Sequence, residues 1–223
     1  MPSLKEIKNR ITSVQSTRKI TSAMKMVASS KLHHAQMMIE NMLPYENLLE
    51  SMLKTYLEAE VDARTVLTLP REVKKAALIV FASNSSLCGG FNANVLKMMQ
   101  QAVDGYKKRG VEVIIYPVGR KVSEKVNKLG LNTAGNFNSL ADKPNARDCV
   151  KIGEELQELF RKDEIDAVEM IYHHFKSAGS QILLTKKLLP IDVEKAMDYD
   201  HTRDLENNVV TAGVQAYLDE QGG

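Results

Sequence analysis

The chain has 223 residues, and its 43% hydrophobic and 26% charged residues supply enough core-forming material to exclude wholesale disorder. No stretch approaches the roughly 18 consecutive apolar residues of a membrane-spanning helix, and the charged start of the chain offers no signal-peptide core. The net charge of +2 is uneven: residues 1–34 carry seven basic side chains and one acid (+6), and residues 191–223 carry eight acids and two bases (−6).

The first predicted element is one long helix. Between Pro2 and Pro44 the sequence contains neither proline nor glycine, the two residues that usually break helices. Ser3 and Glu6 have the spacing of a capping box, so we expect the helix to begin near Ser3. It should continue to about residue 57, and any bend should fall at Pro44, because proline removes a backbone donor and clashes with the preceding turn.

An apolar seam runs along this helix. Apart from one discontinuity between Val14 and Ile20, apolar residues recur in steps of three and four over about 40 residues, which is typical of a coiled coil rather than of a surface helix. An exposed stripe of this length would aggregate, so the seam requires a partner helix. The first seam residues are Leu4, Ile7, Ile11, Val14, Ile20, Met24 and Val27.

After Pro70 the pattern changes to alternating strands and helices. The continuous apolar run at 75–82 is typical of a strand buried on both faces, and residues 111–118 are predicted to form a second strand. Alternation of this kind predicts a Rossmann-like α/β domain with a mostly parallel sheet that is mixed at one edge. The other predicted elements are a turn at 83–92, helices at 93–108, 119–129 and 147–162, and a strand pair at 165–175 and 180–190.

The chain is therefore predicted to belong to the α/β class and to have three parts. A coiled-coil arm occupies residues 1–70, and the α/β domain occupies residues 71–190. Residues 191–223 are acidic and lack a sustained apolar period, so we expect an irregular or truncated tail there. The seam of the arm would then lie unpaired, and we expect the arm to fray or to self-associate in isolation.

The turn at 83–92 is the first place to look for a ligand, because α/β sheets bind ligands at such turns. It contains adjacent Gly89 and Gly90, but neither the glycine-rich phosphate cradle of dinucleotide-binding proteins nor the lysine and hydroxyl of a P-loop. A structural turn with glycine at positive φ fits this sequence better than a nucleotide site. Ser85 and Ser86 also lack the pattern that surrounds an exposed nucleophile.

The histidines and cysteines do not predict a metal site. The histidine pairs at 33–34 and 173–174 are adjacent residues, whose side chains point in different directions and cannot chelate one metal from one face. Cys88 and Cys149 are too few for a disulfide framework or a zinc site, so we expect both to be buried small apolar residues in a reducing compartment. We therefore predict neither catalysis by this chain alone nor a cofactor of its own.

The basic arm has two physical interpretations. Its charge could neutralise nucleic-acid phosphates, as in a nucleic-acid-associated coiled-coil protein with an accessory α/β domain. The arm carries no aromatic residue before Tyr45 to stack a base, however, and its seam favours a helical protein partner. A nucleotide-binding α/β enzyme is a third alternative.

Two segments of the chain resemble a known family, the gamma subunit of F-type ATP synthases. Residues 4–32 closely resemble the amino-terminal helix of that family, and LCGGFN at 87–92 matches its second marker, after the first strand. Residues 76–190 fit the length and the strand order of its α/β domain. The most specific residues are Lys19, Ile20, Thr21, Ala23, Met24, Met26, Val27, Ala28 and Lys31.

The sequence departs from this family in two places. Asn84, Ser85 and Ser86 stand where the family has Asp-Arg-Gly, so the polar contacts of that Asp and Arg are not expected. Nothing after Pro190 resembles the second long helix that pairs with the first in the family. We therefore expect either a truncated or frameshifted chain or a partner helix supplied otherwise.

The resemblance implies a central-stalk rotor of a proton-translocating F-type ATP synthase, non-catalytic by itself and without a cofactor or metal. The implied partners are the catalytic alpha and beta subunits, the epsilon subunit and the membrane c-ring, with no nucleic acid and no direct membrane insertion. The implied location is the cytoplasmic side of the bacterial inner membrane, as a peripheral subunit. The residues assigned to partner contact and coupling are Lys19, Ile20, Met24, Lys25, Met26, Val27, Ala28, Lys31, Leu87, Cys88, Gly89 and Gly90.

Overall fold

The computed structural model describes residues 3–59, 65–177 and 179–192. The chain divides into two compact units, one that contains a long helix and one that contains a β-sheet.

The long helix, α1, spans Leu4–Ala59 and has 56 residues. At 1.5 Å per residue it is about 84 Å long. Ser3 caps it as predicted, because its Oγ accepts the Glu6 amide at 3.2 Å. The Glu6 carboxylate bonds to Arg10 at 2.8 Å instead of closing the second half of the capping box. Pro44 lies inside the helix, which continues through it.

The predicted seam of α1 is exposed. Leu4 is 88% exposed and Val27 59%, and the seam residues between them are also exposed. Two expectations concern the end of the chain: that no second long helix follows Pro190, and that the tail is irregular or truncated. Both fall on residues 193–223, which lie outside the described part of the chain.

The second unit contains a five-stranded sheet of order β3-β2-β1-β4-β5. All neighbouring strands are parallel except β4 and β5, which form an antiparallel pair at one edge. This confirms the predicted α/β class and the mostly parallel sheet. The strands are β1 (Lys75–Phe81), β2 (Glu112–Val118), β3 (Asn132–Thr133), β4 (Ala167–Ser177) and β5 (Ser180–Leu189), and the helices are α2 (Phe91–Lys108), α3 (Arg120–Leu129), α4 (Asn138–Asp142) and α5 (Ala146–Arg161).

The central strand β1 separates two apolar cores. Leu78 and Val80 face one core, which contains the buried residues of α2 and α3. Ala77 and Ile79 face the other, which contains the buried residues of α5. Alternate residues of one strand therefore hold helices on both faces of the sheet, which explains why the β1 sequence is a continuous apolar run.

The prediction that both cysteines are buried is wrong. Cys149 is exposed and Cys88 is half-buried, and both are free thiols. Cys149 lies in the first turn of α5, whereas the buried residues of that helix begin at Ile152. Neither cysteine therefore serves the cores as a small apolar residue.

Gly119 joins β2 to α3 and lies against the backbone that follows β1. Its φ is +107°, and a Cβ at this position would lie 2.0 Å from the carbonyl oxygen of Ala82. The Ala82 amide in turn donates to the Val118 carbonyl at 2.8 Å. Glycine is thus required here both by the backbone conformation and by the space.

We predict that Gly119→Ala lowers the free energy of unfolding by at least about 2 kcal/mol. The new methyl group would push the Ala82 carbonyl away, and alanine would be strained at the positive φ of residue 119. Gly130→Ala is the matched control, since Gly130 also has positive φ (+62°) but its Cβ would meet nothing within 4 Å. The control should lose only about 1 kcal/mol. Urea unfolding followed by circular dichroism measures both, and equal losses would contradict the steric explanation.

Candidate partner-binding site

The turn at 83–92 lies at the carboxyl end of the sheet and is organised by Asn92. Asn92 is buried in the first turn of α2, and its Oδ1 accepts the Ser83 amide at 2.9 Å. Its Nδ2 lies 3.1 Å from Ser83 Oγ, 2.8 Å from the Ser85 carbonyl oxygen and 3.0 Å from Cys88 Sγ. One side chain therefore satisfies polar groups along most of the turn.

The two glycines of the turn start α2. Gly89 has φ +54°, and a Cβ there would meet nothing within 4 Å, so only the backbone conformation requires glycine. Gly90 is the N-cap residue, and its carbonyl accepts the Asn94 amide at 2.9 Å. This geometry fits the predicted structural turn.

Leu87 is held at the surface of the turn. It is 78% exposed, and its amide donates to Ser85 Oγ at 3.1 Å. Cys88, the next residue, is half-buried and points back to the Ser85 carbonyl, with its Sγ 3.6 Å from that oxygen. The backbone of the turn is thus fixed while a large apolar side chain remains available for a contact.

An aromatic stack occupies the carboxyl-end position between β1 and β4. Val80 pairs with Ile171, so His173 lies two residues further along, level with the end of β1. The Phe91 ring stacks on His173 with ring centroids 4.1 Å apart. Connections from neighbouring strands diverge at this position, and Rossmann-type proteins bind their ligand in the resulting crevice. His173 lies two residues after Ile171 and so on the same face of β4, where α2 packs, and the stack joins the start of α2 to this strand.

Asn84 connects this turn to α3 and α4. Its Nδ2 donates to the Asn138 carbonyl at 2.9 Å and to Asp142 Oδ2 at 2.7 Å, and its Oδ1 accepts the Arg120 amide at 2.7 Å. The Arg120 side chain donates to the Asn84 carbonyl at 2.5 Å. The departure from Asp-Arg-Gly therefore leaves the turn with polar contacts of its own, and these contacts require both the donor and the acceptor of an amide.

The twelve predicted contact residues lie in two groups. Leu87, Cys88, Gly89 and Gly90 come together in the turn described above. The other eight lie on α1, in the other compact unit, where Ile20, Met24, Met26 and Val27 are between 49% and 67% exposed. The remaining four, Lys19, Lys25, Ala28 and Lys31, are exposed as well.

The sequence-based prediction did not include three residues that build the site. Asn92 and Asn84 organise the turn, and His173 packs against it. The motif LCGGFN includes the position of Asn92 but gives no sign of its bonds. The contacts of Asn84 lie 54 and 58 residues away along the chain, so short-range patterns could not find them.

The structure also bears on metal binding and on membrane insertion. Among the described residues, no group of three or more His, Cys, Asp and Glu side chains is placed to hold a metal ion. In the same part of the chain, no helix has the length and hydropathy required to cross a membrane.

Comparisons with known proteins identify the family. A family model described as ATP synthase matches residues 3–221. The ATP synthase gamma chain of Bacteroides fragilis is 50% identical over 98% of this chain and 76% of its own length. That of Azobacteroides pseudotrichonymphae is 42% identical over 90% of this chain and 71% of its own length. The chain belongs to the ATP synthase gamma chain family.

A solved structure agrees with this membership. The central stalk and c-ring structure of the Tetrahymena thermophila mitochondrial ATP synthase contains a chain that is 25% identical, with a TM-score of 0.57. The match covers 77% of this chain and 72% of that one. The predicted central-stalk function, with no catalysis by the chain itself, is confirmed, and it is favoured over the nucleic-acid-associated alternative.

We predict that Asn84→Asp destabilises the protein by about 1 kcal/mol at pH 7, because a carboxylate then replaces the amide donor to Asp142. Urea unfolding measures the loss. Adding Asp142→Asn should recover most of it, since an amide then faces the new carboxylate. An equal loss with and without Asp142→Asn would contradict the proposed repulsion.

A second prediction concerns His173. Burial lowers the pKa of His173, so the unfolded chain binds a proton there more readily than the folded protein does. Stability should therefore fall as the pH drops below about 6.5, the ordinary histidine pKa. His173→Phe keeps a ring against Phe91 but cannot take up the proton. Between pH 8 and pH 5.5 the free energy of unfolding of this variant should fall less than that of the wild type. Tyrosine fluorescence during urea unfolding measures both, and an equal fall would contradict the prediction.

Proposed function

We propose that this chain is the rotating shaft that couples proton flow through a membrane c-ring to ATP synthesis in a catalytic hexamer. The observation that carries the proposal is the match to ATP synthase gamma chains over 98% of the chain at 50% identity. The proposed partners are the catalytic alpha and beta subunits, the epsilon subunit and the c-ring. The proposed location is peripheral, on the cytoplasmic side of the bacterial inner membrane.

The helix α1 supports the shaft role. It is one continuous helix of 56 residues, so a twist applied at one end is carried along its backbone hydrogen bonds, although Pro44 contributes no backbone donor. We infer that its exposed residues at 19–31 contact the moving loops of the catalytic subunits. The amino-terminal half of α1 is positively charged, which suits contact with acidic loops of a partner. Salt would partly screen that attraction.

The turn at 83–92 supports a second contact. Asn92 fixes its backbone, and Leu87 stays exposed on that fixed frame. A rigid frame that presents one apolar side chain loses little conformational entropy when a partner covers it. We infer that Leu87, Cys88, Gly89 and Gly90 form this contact with a neighbouring subunit.

The proposal is tested by replacing the gamma chain of a bacterial ATP synthase with this chain and measuring ATP-driven proton pumping in inverted vesicles. The chain should copurify with the alpha and beta subunits and support pumping, while the purified chain alone should not hydrolyse ATP. A chain that neither copurifies with the complex nor supports pumping would contradict the proposal.

We predict that Lys25→Glu reduces pumping per ATP hydrolysed several-fold at low ionic strength, because it reverses a charge on the proposed coupling face. The reduction should be smaller at high salt. Lys8→Glu, on the same helix but outside the proposed coupling residues, is the control and should change pumping less. Equal effects of the two substitutions, or no dependence on salt, would contradict the assignment.

A further inference from the structure

The segment before β1 is fastened to the α/β domain by the side chain of Arg71. This side chain is only 21% exposed, and its guanidinium lies 3.9 Å above the centre of the Phe160 ring. Its Nη1 donates to the Asp163 carboxylate, and its Nη2 donates to the carbonyls of Phe160, at 2.6 Å, and Ile165. Its Nε lies 3.1 Å from Asp166 Oδ1. One arginine therefore contacts two carboxylates, two carbonyls and an aromatic face.

These contacts suit arginine rather than lysine. The guanidinium is planar and offers five donors in a rigid fork, whereas an ammonium is a single point charge on a flexible stem. The Phe160 carbonyl also belongs to the last turn of α5, where the helix dipole favours a positive charge. The segment is thus held to the end of a helix whose Phe160 side chain is fully buried.

Asp166, which pairs with Arg71, also bonds to the backbone at the start of β1. It is buried, and its Oδ2 accepts the amides of Lys74 and Lys75, both at 2.9 Å. Its own amide donates to the Lys75 carbonyl at 2.7 Å. The carboxylate that pairs with Arg71 therefore also fixes the first residue of β1. Rotation of the segment around Arg71 would break bonds at the start of the central strand.

A second attachment lies four residues earlier. Leu67 packs against the apolar core on the α5 side, and its carbonyl accepts the Ile191 amide at 2.8 Å. Ile191 follows the last strand and packs against the same core. The segment that enters the domain and the residue that follows its last strand are therefore bonded to each other.

We propose that Arg71, with Asp163, Asp166 and the Leu67–Ile191 bond, is a clamp that carries torque between the α/β domain and the segment leading to α1. The proposal rests on the rotor function proposed above. The covalent path from α1 to β1 runs through residues 60–74, and a segment held only by its ends would yield elastically before it transmitted rotation. The clamp shortens that path, because it fixes residues 67–75 to the sheet.

The test uses Arg71→Ala and Arg71→Lys in the assembled ATP synthase, with Arg161→Ala as the matched control. Arg161 is an exposed arginine in the last turn of α5. Two quantities are measured: the ratio of proton pumping to ATP hydrolysis, and the angular variance of a bead attached to the α/β domain while the hexamer is fixed to a surface. The variance reports torsional stiffness, which a change in fold stability alone would not alter in assembled complexes.

Arg71→Ala should raise the angular variance about twofold or more and lower the pumping ratio, with a smaller effect on hydrolysis. Arg71→Lys should give an intermediate result, since it keeps the charge but loses the fork. Arg161→Ala should match the wild type. If Arg71→Ala does not assemble, Asp163→Asn removes one arm of the clamp at a residue whose side chain is 78% exposed, and it should still raise the variance.

Assembled Arg71 and Asp163 variants with wild-type variance and wild-type pumping ratio would overturn the clamp alone. A wild-type chain that gives no pumping would overturn the proposed rotor function, and the clamp with it.

Discussion

The burial of β1 on both faces is the constraint on which the rest of the α/β unit depends. Ala76, Ala77, Leu78 and Val80 are completely buried, and the strand has a parallel neighbour on each side. A strand enclosed in this way must have its two ends fixed by polar contacts, because its middle has no polar side chain to offer. Asp166 bonds to the backbone at the amino end of β1. Asn92 and Asn84 make the corresponding bonds in the turn that follows its carboxyl end.

The carboxyl end of the sheet carries the turn that we propose as a contact surface. Phe91 stacks on His173 near this end of the sheet, and Asn92 Oδ1 accepts the Ser83 amide, a backbone donor that a bound phosphate would otherwise engage. The large apolar side chain that this turn exposes is Leu87. This arrangement agrees with a family whose central-stalk member does no nucleotide chemistry itself, and it supports the contact proposed above for Leu87.

The sequence predicted the elements that have a long pattern. The continuous apolar run of β1, the unbroken helix α1 and the hairpin of β4 and β5 could all be predicted, because each extends over many residues. Strand β3 and helix α4, with two and five residues, are too short to show a period and were missed. The site was predicted only in part, and the contacts of Arg71 were not predicted. The partners of Asn84 and Arg71 lie between 36 and 94 residues away along the chain, beyond the reach of short-range patterns.

The stiffness of a shaft is decided by its most compliant part, because compliances in series add. A continuous helix such as α1 is stiff along its length, and the sheet is stiff because its core is close-packed. The connection between them has neither property, because its described residues, 65–74, contain no helix or strand. Side-chain contacts at Arg71 and Leu67 must therefore supply the rigidity that secondary structure supplies elsewhere. A charged fork on buried carbonyls and carboxylates is well suited to this, since a small rotation costs several directional bonds at once.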